Sequence, residues 1–128
     1  MSKTDDFMQN EFLSFYRRAL AAFAQNHSSL YATFTHLMPD KFRFGMRLMD
    51  HDELLGDYTI VLDEGKNPHI ENGSLTSEIH TPFGVIKPYY IVEKGTLERM
   101  IQDEPAFVAH PFATKFKYLS EITIKFQK

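Results

Sequence analysis

Near Pro39 the hydrophobic pattern changes period, and this change constrains the fold more than any other feature of the chain. Before it, apolar residues recur at helical spacing; after it, they alternate at period two. Such a chain builds helices first and a sheet afterwards, and each must bury its apolar face against the other, which is an α+β arrangement. At 128 residues, one domain spanning residues 1–128 has enough core to need neither disulfides nor a structural metal.

From Met8 the residues Phe12, Phe15, Tyr16, Ala19, Leu20 and Phe23 fall on one stripe of an amphipathic helix. Thr4 or Asp5 is placed to cap its start and Asn26-His27 to end it. Ser28 is placed to cap a second, shorter helix carrying Leu30, Phe34, Leu37 and Met38, which Pro39 stops. The stripe of the first helix is expected to be core rather than a membrane-surface anchor, because its opposite face carries Asn10, Ser14 and Arg17 without an excess of lysine.

Period two then sets Phe42, Phe44, Met46 and Leu48 on one face of a strand and Lys41, Arg43 and Arg47 on the other. A polar stretch, 50–57, leads to a strand over Tyr58, Ile60 and Leu62. Asn72-Gly73 suits a tight hairpin turn between His69 to Glu71 and Leu75 to His80. Tyr89 to Val92 forms a further strand with Pro88 at its mouth. Thr96 is placed to cap a short helix carrying Leu97, Met100 and Ile101, and Pro105 to start another around Phe107. Two closing strands follow, joined near 119–121, with Phe116, Tyr118, Ile122, Ile124 and Phe126 on the apolar phase. The expected architecture is two N-terminal helices, then a five- or six-stranded, mostly antiparallel sheet covered on one face by helices, with short helices before the last two strands.

Composition excludes several functions. With no Cys there is no thiol catalysis or thiolate metal site, and a cytoplasmic setting fits. Fourteen Lys and Arg against seventeen Asp and Glu give a net charge of −3, so no basic field for nucleic acid exists. The polar, acidic start and the lack of a long apolar run give no expectation of a signal peptide or membrane span. The six Gly are scattered singly, without a phosphate loop or dinucleotide fingerprint, and no cofactor is expected.

Catalytic or metal signatures are sparse. Asp50, His51, Asp52 and Glu53 crowd potential ligands into one turn, but such close neighbours cannot all converge on one ion, and a solvated turn is the simpler expectation. His69 and His80 would approach each other if the Asn72-Gly73 hairpin forms. No HExxH spacing or GxSxG elbow is present, so neither a catalytic residue nor a metal ligand is assigned. A carboxyl or phenol in an apolar pocket, with Glu78, Asp57 or Tyr58 available, would mark a small cone-shaped α+β enzyme of isomerase or hydratase type. Arg43, Arg47, Lys115 and Lys117 would form a basic patch for anionic lipid headgroups if their strands are neighbours.

Twelve Phe and six Tyr, with no Trp, point to a bulky core or to an apolar cavity beside it. The segment Tyr89-Tyr-Ile-Val-Glu-Lys-Gly-Thr-Leu-Glu-Arg-Met-Ile101, then Pro105-Ala-Phe-Val-Ala109, then Phe116-Lys-Tyr-Leu-Ser-Glu-Ile-Thr-Ile-Lys-Phe126, resembles the C-terminal third of the sterol carrier protein type 2 family of lipid-binding domains. It departs from that family at Leu119-Ser120-Glu121, which replaces a Gly-rich turn, at the segment Leu75 to Pro88, which is longer than the family's connection, and at Tyr58, which stands where Trp is common. The resemblance implies a tunnel between sheet and helices that takes acyl chains, sterols or other lipids. By position it would be lined by Phe34, Met38, Phe44, Met46, Leu48, Leu97, Met100, Phe107, Phe112 and Phe116. The expected function is binding of a hydrophobic small molecule by a non-catalytic carrier or sensor. The alternatives are the small enzyme and an oligomeric interaction module, such as a homodimer joined through surplus aromatic surface.

Overall fold

A computed structural model of the chain describes residues 3–37, 41–63, 66–110, 114 and 117–127. Helix α1 runs through three consecutive parts, Lys3–Asp6, Phe7–Phe12 and Leu13–Asn26, and the middle part is a π-helix. There the Leu13 N–H donates to the Met8 carbonyl, five residues back. Residues five apart therefore share a face, and Phe7 with Phe12 and Met8 with Leu13 are all buried. The stripe at 3.6-residue spacing omits Phe7 and Leu13 and runs on through Ala19, Leu20 and Phe23, which are only half-buried. The wide turn concentrates the buried face at the N-terminal half of the helix. Helix α2, Ser28–Leu37, follows at the expected place, but Leu30 is 52% exposed rather than part of a buried stripe. Phe34 lies on α2 with its side chain outside the described residues, as is Met38.

The main sheet has strands β1 (Lys41–Asp50), β2 (Glu53–Asp63) and β3 (Lys66–Asn72), with β6 (Pro88–Glu93) and β7 (Thr123–Phe126). Its order is β3-β2-β1-β6-β7, and every neighbouring pair is antiparallel except β1 with β6. The supposed polar stretch 50–57 is mostly strand. β1 and β2 pair from Lys41↔Asp63 out to Asp50↔Glu53, so the turn shrinks to His51 and Asp52, with His51 at φ 56°. Asn72-Gly73 does not turn a hairpin: Gly73, at φ 91°, ends β3 by donating its N–H to the Asp57 carbonyl. Strands β4 (Ile79–Thr81) and β5 (Gly84–Ile86) instead pair with each other as a separate ribbon. His69 is consequently opposite Val61 and His80 opposite Val85, so the two histidines are not a cross-strand pair.

Between β3 and β4 the chain crosses the sheet face opposite the helices. Thr59 holds this crossing: its hydroxyl donates to the Ser74 carbonyl at 2.8 Å and accepts from the Thr76 N–H at 2.9 Å. The Ser77 hydroxyl accepts the Gly45 N–H, and Ser77 is 2% exposed. After β6 the chain returns on the helix side through α3 (Lys94–Gln102) and α4 (Glu104–Ala109), and reaches β7. Thr96 is not a cap but lies inside α3, where its hydroxyl donates to the Glu121 carboxylate at 3.1 Å. Of the two expected closing strands, Thr123–Phe126 forms, whereas the chain is helical at 117–119. The molecule is α+β, with helices packed on one side of a five-stranded, mostly antiparallel sheet.

One hydrophobic cluster lies between the layers. α1 contributes Phe7, Met8, Phe12, Leu13 and Phe15; the sheet contributes Met46, Leu48, Tyr58, Ile60, Ile70 and Val92; Leu97, Phe107 and Tyr118 close it. Phe107 meets Phe15 edge-on at 5.4 Å and stacks on Tyr118 at 5.8 Å, which ties α4 to α1. The opposite sheet face carries ion pairs as well as buried Val61: Arg47 donates to Asp57 at 2.9 Å and lies over the Tyr89 ring, while Arg43 reaches Glu71 and Thr76. Lys117, on the helical turn, pairs with Asp103, so the strand pairing that would set it beside Arg43 does not occur.

Candidate apolar binding site

From β2 to β7 burial falls steadily along one row of the sheet on its helix side. Strand pairing places Tyr58, Met46, Tyr90 and Ile124 side by side on β2, β1, β6 and β7. Tyr58 is 1% exposed and Met46 6%, Tyr90 is half-buried, and Ile124 is 52% exposed. Along β1 the same trend runs from Leu48 at 0% to half-buried Phe44 and Phe42. On β7, Phe126 opposite Pro88 is 64% exposed. Opposite Phe42 and Phe44, Leu62 and Ile60 on β2 are 1% exposed, so the cover thins toward β7 and leaves an apolar corner there.

The rings in this corner touch. Phe44 packs against Tyr90 at 5.4 Å and against Phe42 at 5.7 Å. From the helical layer, Tyr16 sits 6.1 Å from the Phe12 ring. Its phenol is pushed up to about 12, first by burial and then by Tyr90. Burial also raises the Tyr90 phenol. Both hydroxyls are therefore neutral hydrogen-bonding groups in largely apolar surroundings.

These shifts predict an alkaline limit to stability. Because the folded phenol of Tyr16 titrates above its ordinary value of about 10, its contribution is complete below about 10 and is lost as the pH rises through about 12. Burial and then the Asp5 hydrogen bond raise Tyr58 in the same direction. Tyrosinate absorbance followed with circular dichroism should show the last phenols ionising together with unfolding. Full ionisation before any loss of structure would contradict this placement of the rings.

Of the residues expected to line a tunnel, Met46, Leu48, Leu97 and Phe107 belong to the packed cluster, each no more than 8% exposed. Phe44 and Met100 lie at its margin, partly buried. Phe112 and Phe116 lie outside the described residues. Sequence reasoning did not single out Tyr16, Phe42, Tyr90, Ile124 and Phe126 as a group. Their apolar phase was visible, but their adjacency depends on β6 lying between β1 and β7.

The candidate acids and bases have structural partners. The Tyr58 hydroxyl donates to Asp5 at 2.6 Å, joining the start of α1 to β2, and Asp57 is paired with Arg47. Glu78 is exposed, and its backbone N–H donates to the Arg43 carbonyl at 3.3 Å at the end of the crossing segment. Ion-pair hydrogen bonds lower three carboxyls: Asp103 through Lys117, Glu104 through Arg18 and Glu121 through Arg99. A general acid needs the opposite shift. At the β1–β2 turn, His51 Nδ1 lies 2.9 Å from Asp50, and the His51 N–H donates to Glu93. Among the described residues no group of three or more His, Cys, Asp or Glu could hold a metal ion, and no helix is long and apolar enough to cross a membrane. Comparison with protein-family models, curated proteins and solved structures found no match to this chain.

Proposed function

We propose that the chain binds a lipid or other hydrophobic small molecule against the helix side of its sheet, as a carrier or sensor rather than a catalyst. The observation that carries this reading is the row Tyr58, Met46, Tyr90, Ile124, in which the same apolar face passes from full cover to open surface. A flexible apolar ligand laid on the open end would continue the packed core outward over Phe42, Phe44 and Phe126, with Tyr16 and Tyr90 offering hydroxyls to a polar group. The resemblance of residues 89–126 to sterol carrier protein type 2 domains points to the same class of ligand. Binding would come from apolar area removed from water, which favours breadth over selectivity.

Delipidated protein is expected to bind a fluorescent fatty acid at micromolar concentration. Phe44→Ala should weaken that binding by roughly tenfold or more, since one buried ring is worth about 1.5 to 3 kcal/mol. Leu30→Ala, on the exposed side of α2, should leave it unchanged. Failure of the delipidated protein to bind any acyl probe would end this reading.

A second reading rests on strand β7, whose four residues are all exposed, with Ile124 and Phe126 on it. These side chains would equally suit a second copy of the chain, giving an oligomeric module. Light scattering separates the two: a dimer that Phe126→Lys dissolves, without acyl binding by the resulting monomer, would favour the module.

A further inference from the structure

A second feature lies at the other edge of the sheet, beside β3. A groove of about 340 Å³ opens there between α1, α2 and the start of β3, lined by Arg17, Leu20, Ala21, Tyr31, Asn67 and Pro68. The volume falls at the lower end of the range for small-molecule sites. Arg17, Leu20 and Ala21 share one face of α1, at positions i, i+3 and i+4. Pro68 is buried, Leu20 and Tyr31 are half-buried, and Tyr31 is set by edge-on contact with Phe23 at 5.7 Å.

The charge in this groove is unlike the other arginine charges of the chain. Arg18 is paired with Glu104, Arg43 with Glu71, Arg47 with Asp57 and Arg99 with Glu121. Arg17 has no carboxylate partner among the described residues. Its Nε–H donates to the Pro68 carbonyl at 3.3 Å, a bond that anchors the side chain at the groove wall. Among the arginines of the chain it is thus the one without a carboxylate partner in the described residues, and it stands beside the groove. Guanidinium is planar and suited to paired hydrogen bonds with a carboxylate, and the Tyr31 ring supplies a flat apolar wall.

From the groove and its one uncompensated cation, we infer that this is a binding site for a small organic acid with a planar apolar body and a single carboxylate. Arg17 receives the carboxylate, and the Leu20, Ala21, Tyr31 and Pro68 surfaces hold the body. The site lies beside β3 and the apolar corner beside β7, at opposite edges of the sheet, so the two proposals stand or fall separately.

The test uses naphthalene-2-carboxylate and its neutral amide as probes, titrated calorimetrically into the full chain at low salt. The acid should bind at least about tenfold more tightly than the amide, as one charge-assisted hydrogen-bonded pair predicts. Arg17→Gln should remove that preference while leaving weak binding of both probes. Ala21→Phe, which fills the groove from an exposed helix position, should abolish both. Arg18→Gln, outside the groove, should change neither. Thermal melts of each variant establish that it is folded. Equal affinity for acid and amide, acid binding that survives Ala21→Phe, or no binding of the acid at millimolar concentration would each overturn the assignment.

Discussion

Gly45→Val is expected to destabilise the fold by about 3 kcal/mol, at the upper end of the usual cost of overpacking, read as a fall in the urea midpoint. Valine is the better strand former, so intrinsic preference predicts the opposite sign. Packing decides against it. A Cβ on Gly45 would lie 2.9 Å from Leu75 Cδ2, 2.9 Å from Ser77 Oγ and 3.0 Å from Tyr89 Cβ. Leu75 has a flexible end that can give way, but Ser77 is held by the Gly45 N–H and the Tyr89 Cβ is fixed to strand β6. The segment 73–78 would have to lift from the sheet, loosening the Thr59 hydrogen bonds that hold it. Limited proteolysis should therefore cut the variant faster near 73–78. Gly95→Ala is the control of opposite sign. Gly95 lies within α3 with nothing within 4 Å of its added Cβ, so alanine there should stabilise by roughly 0.5 to 1 kcal/mol. If Gly45→Val leaves the midpoint unchanged, the crossing segment does not pack on β1 as described.

Tyr58→Ala is expected to cost more, about 3 to 5 kcal/mol, the range for removing a large aromatic side chain from a core. Tyr58 is 1% exposed and sits where α1 meets the sheet, with its hydroxyl on Asp5. Tyr58→Phe separates the two contributions of the side chain. It keeps the ring but removes the donor to a partly buried carboxylate, at a cost of about 1 to 2 kcal/mol. Because Asp5 belongs to the first turn of α1, this loss should appear as faster amide exchange at the start of that helix, with exchange in β1 and β2 little changed. Uniform acceleration across the sheet would mean that the Asp5 bond supports the whole core rather than the helix end. Tyr58→Phe at wild-type stability would remove the bond from any account of the fold.

Much of the local structure was legible in the sequence. The 28–37 helix, the alternation that turns Phe42, Phe44, Met46 and Leu48 toward the helices, and the short helices at Leu97 and Phe107 all form where the spacing placed them. The misses have identifiable causes. A 3.6-residue template cannot register a π-turn, so it passed over Phe7 and Leu13. Asn72-Gly73 carries the chemistry of a hairpin turn, yet the strand that pairs with β3 is β2. Tertiary pairing overrode a local signal. The composition of 50–57 favours a loop, but the β1–β2 ladder extends to Asp50↔Glu53 and carries most of that stretch into strand.

The candidate sites were legible only in their ingredients. Periodicity determined by itself most of the helices and strands and their apolar faces, because those properties depend on neighbours a few positions away, but not the helical turn at 117–119, where alternation suggests a strand. It did not determine the order β3-β2-β1-β6-β7 or the parallel match of β1 to β6, since several orders bury the same faces equally well. That order puts Tyr90 and Ile124 in line with Met46, and so creates the open apolar corner. Likewise Arg17, Tyr31 and Pro68 are ordinary residues in sequence. They become the walls of one groove only because α1 and α2 pack beside β3, a contact between segments far apart in the chain.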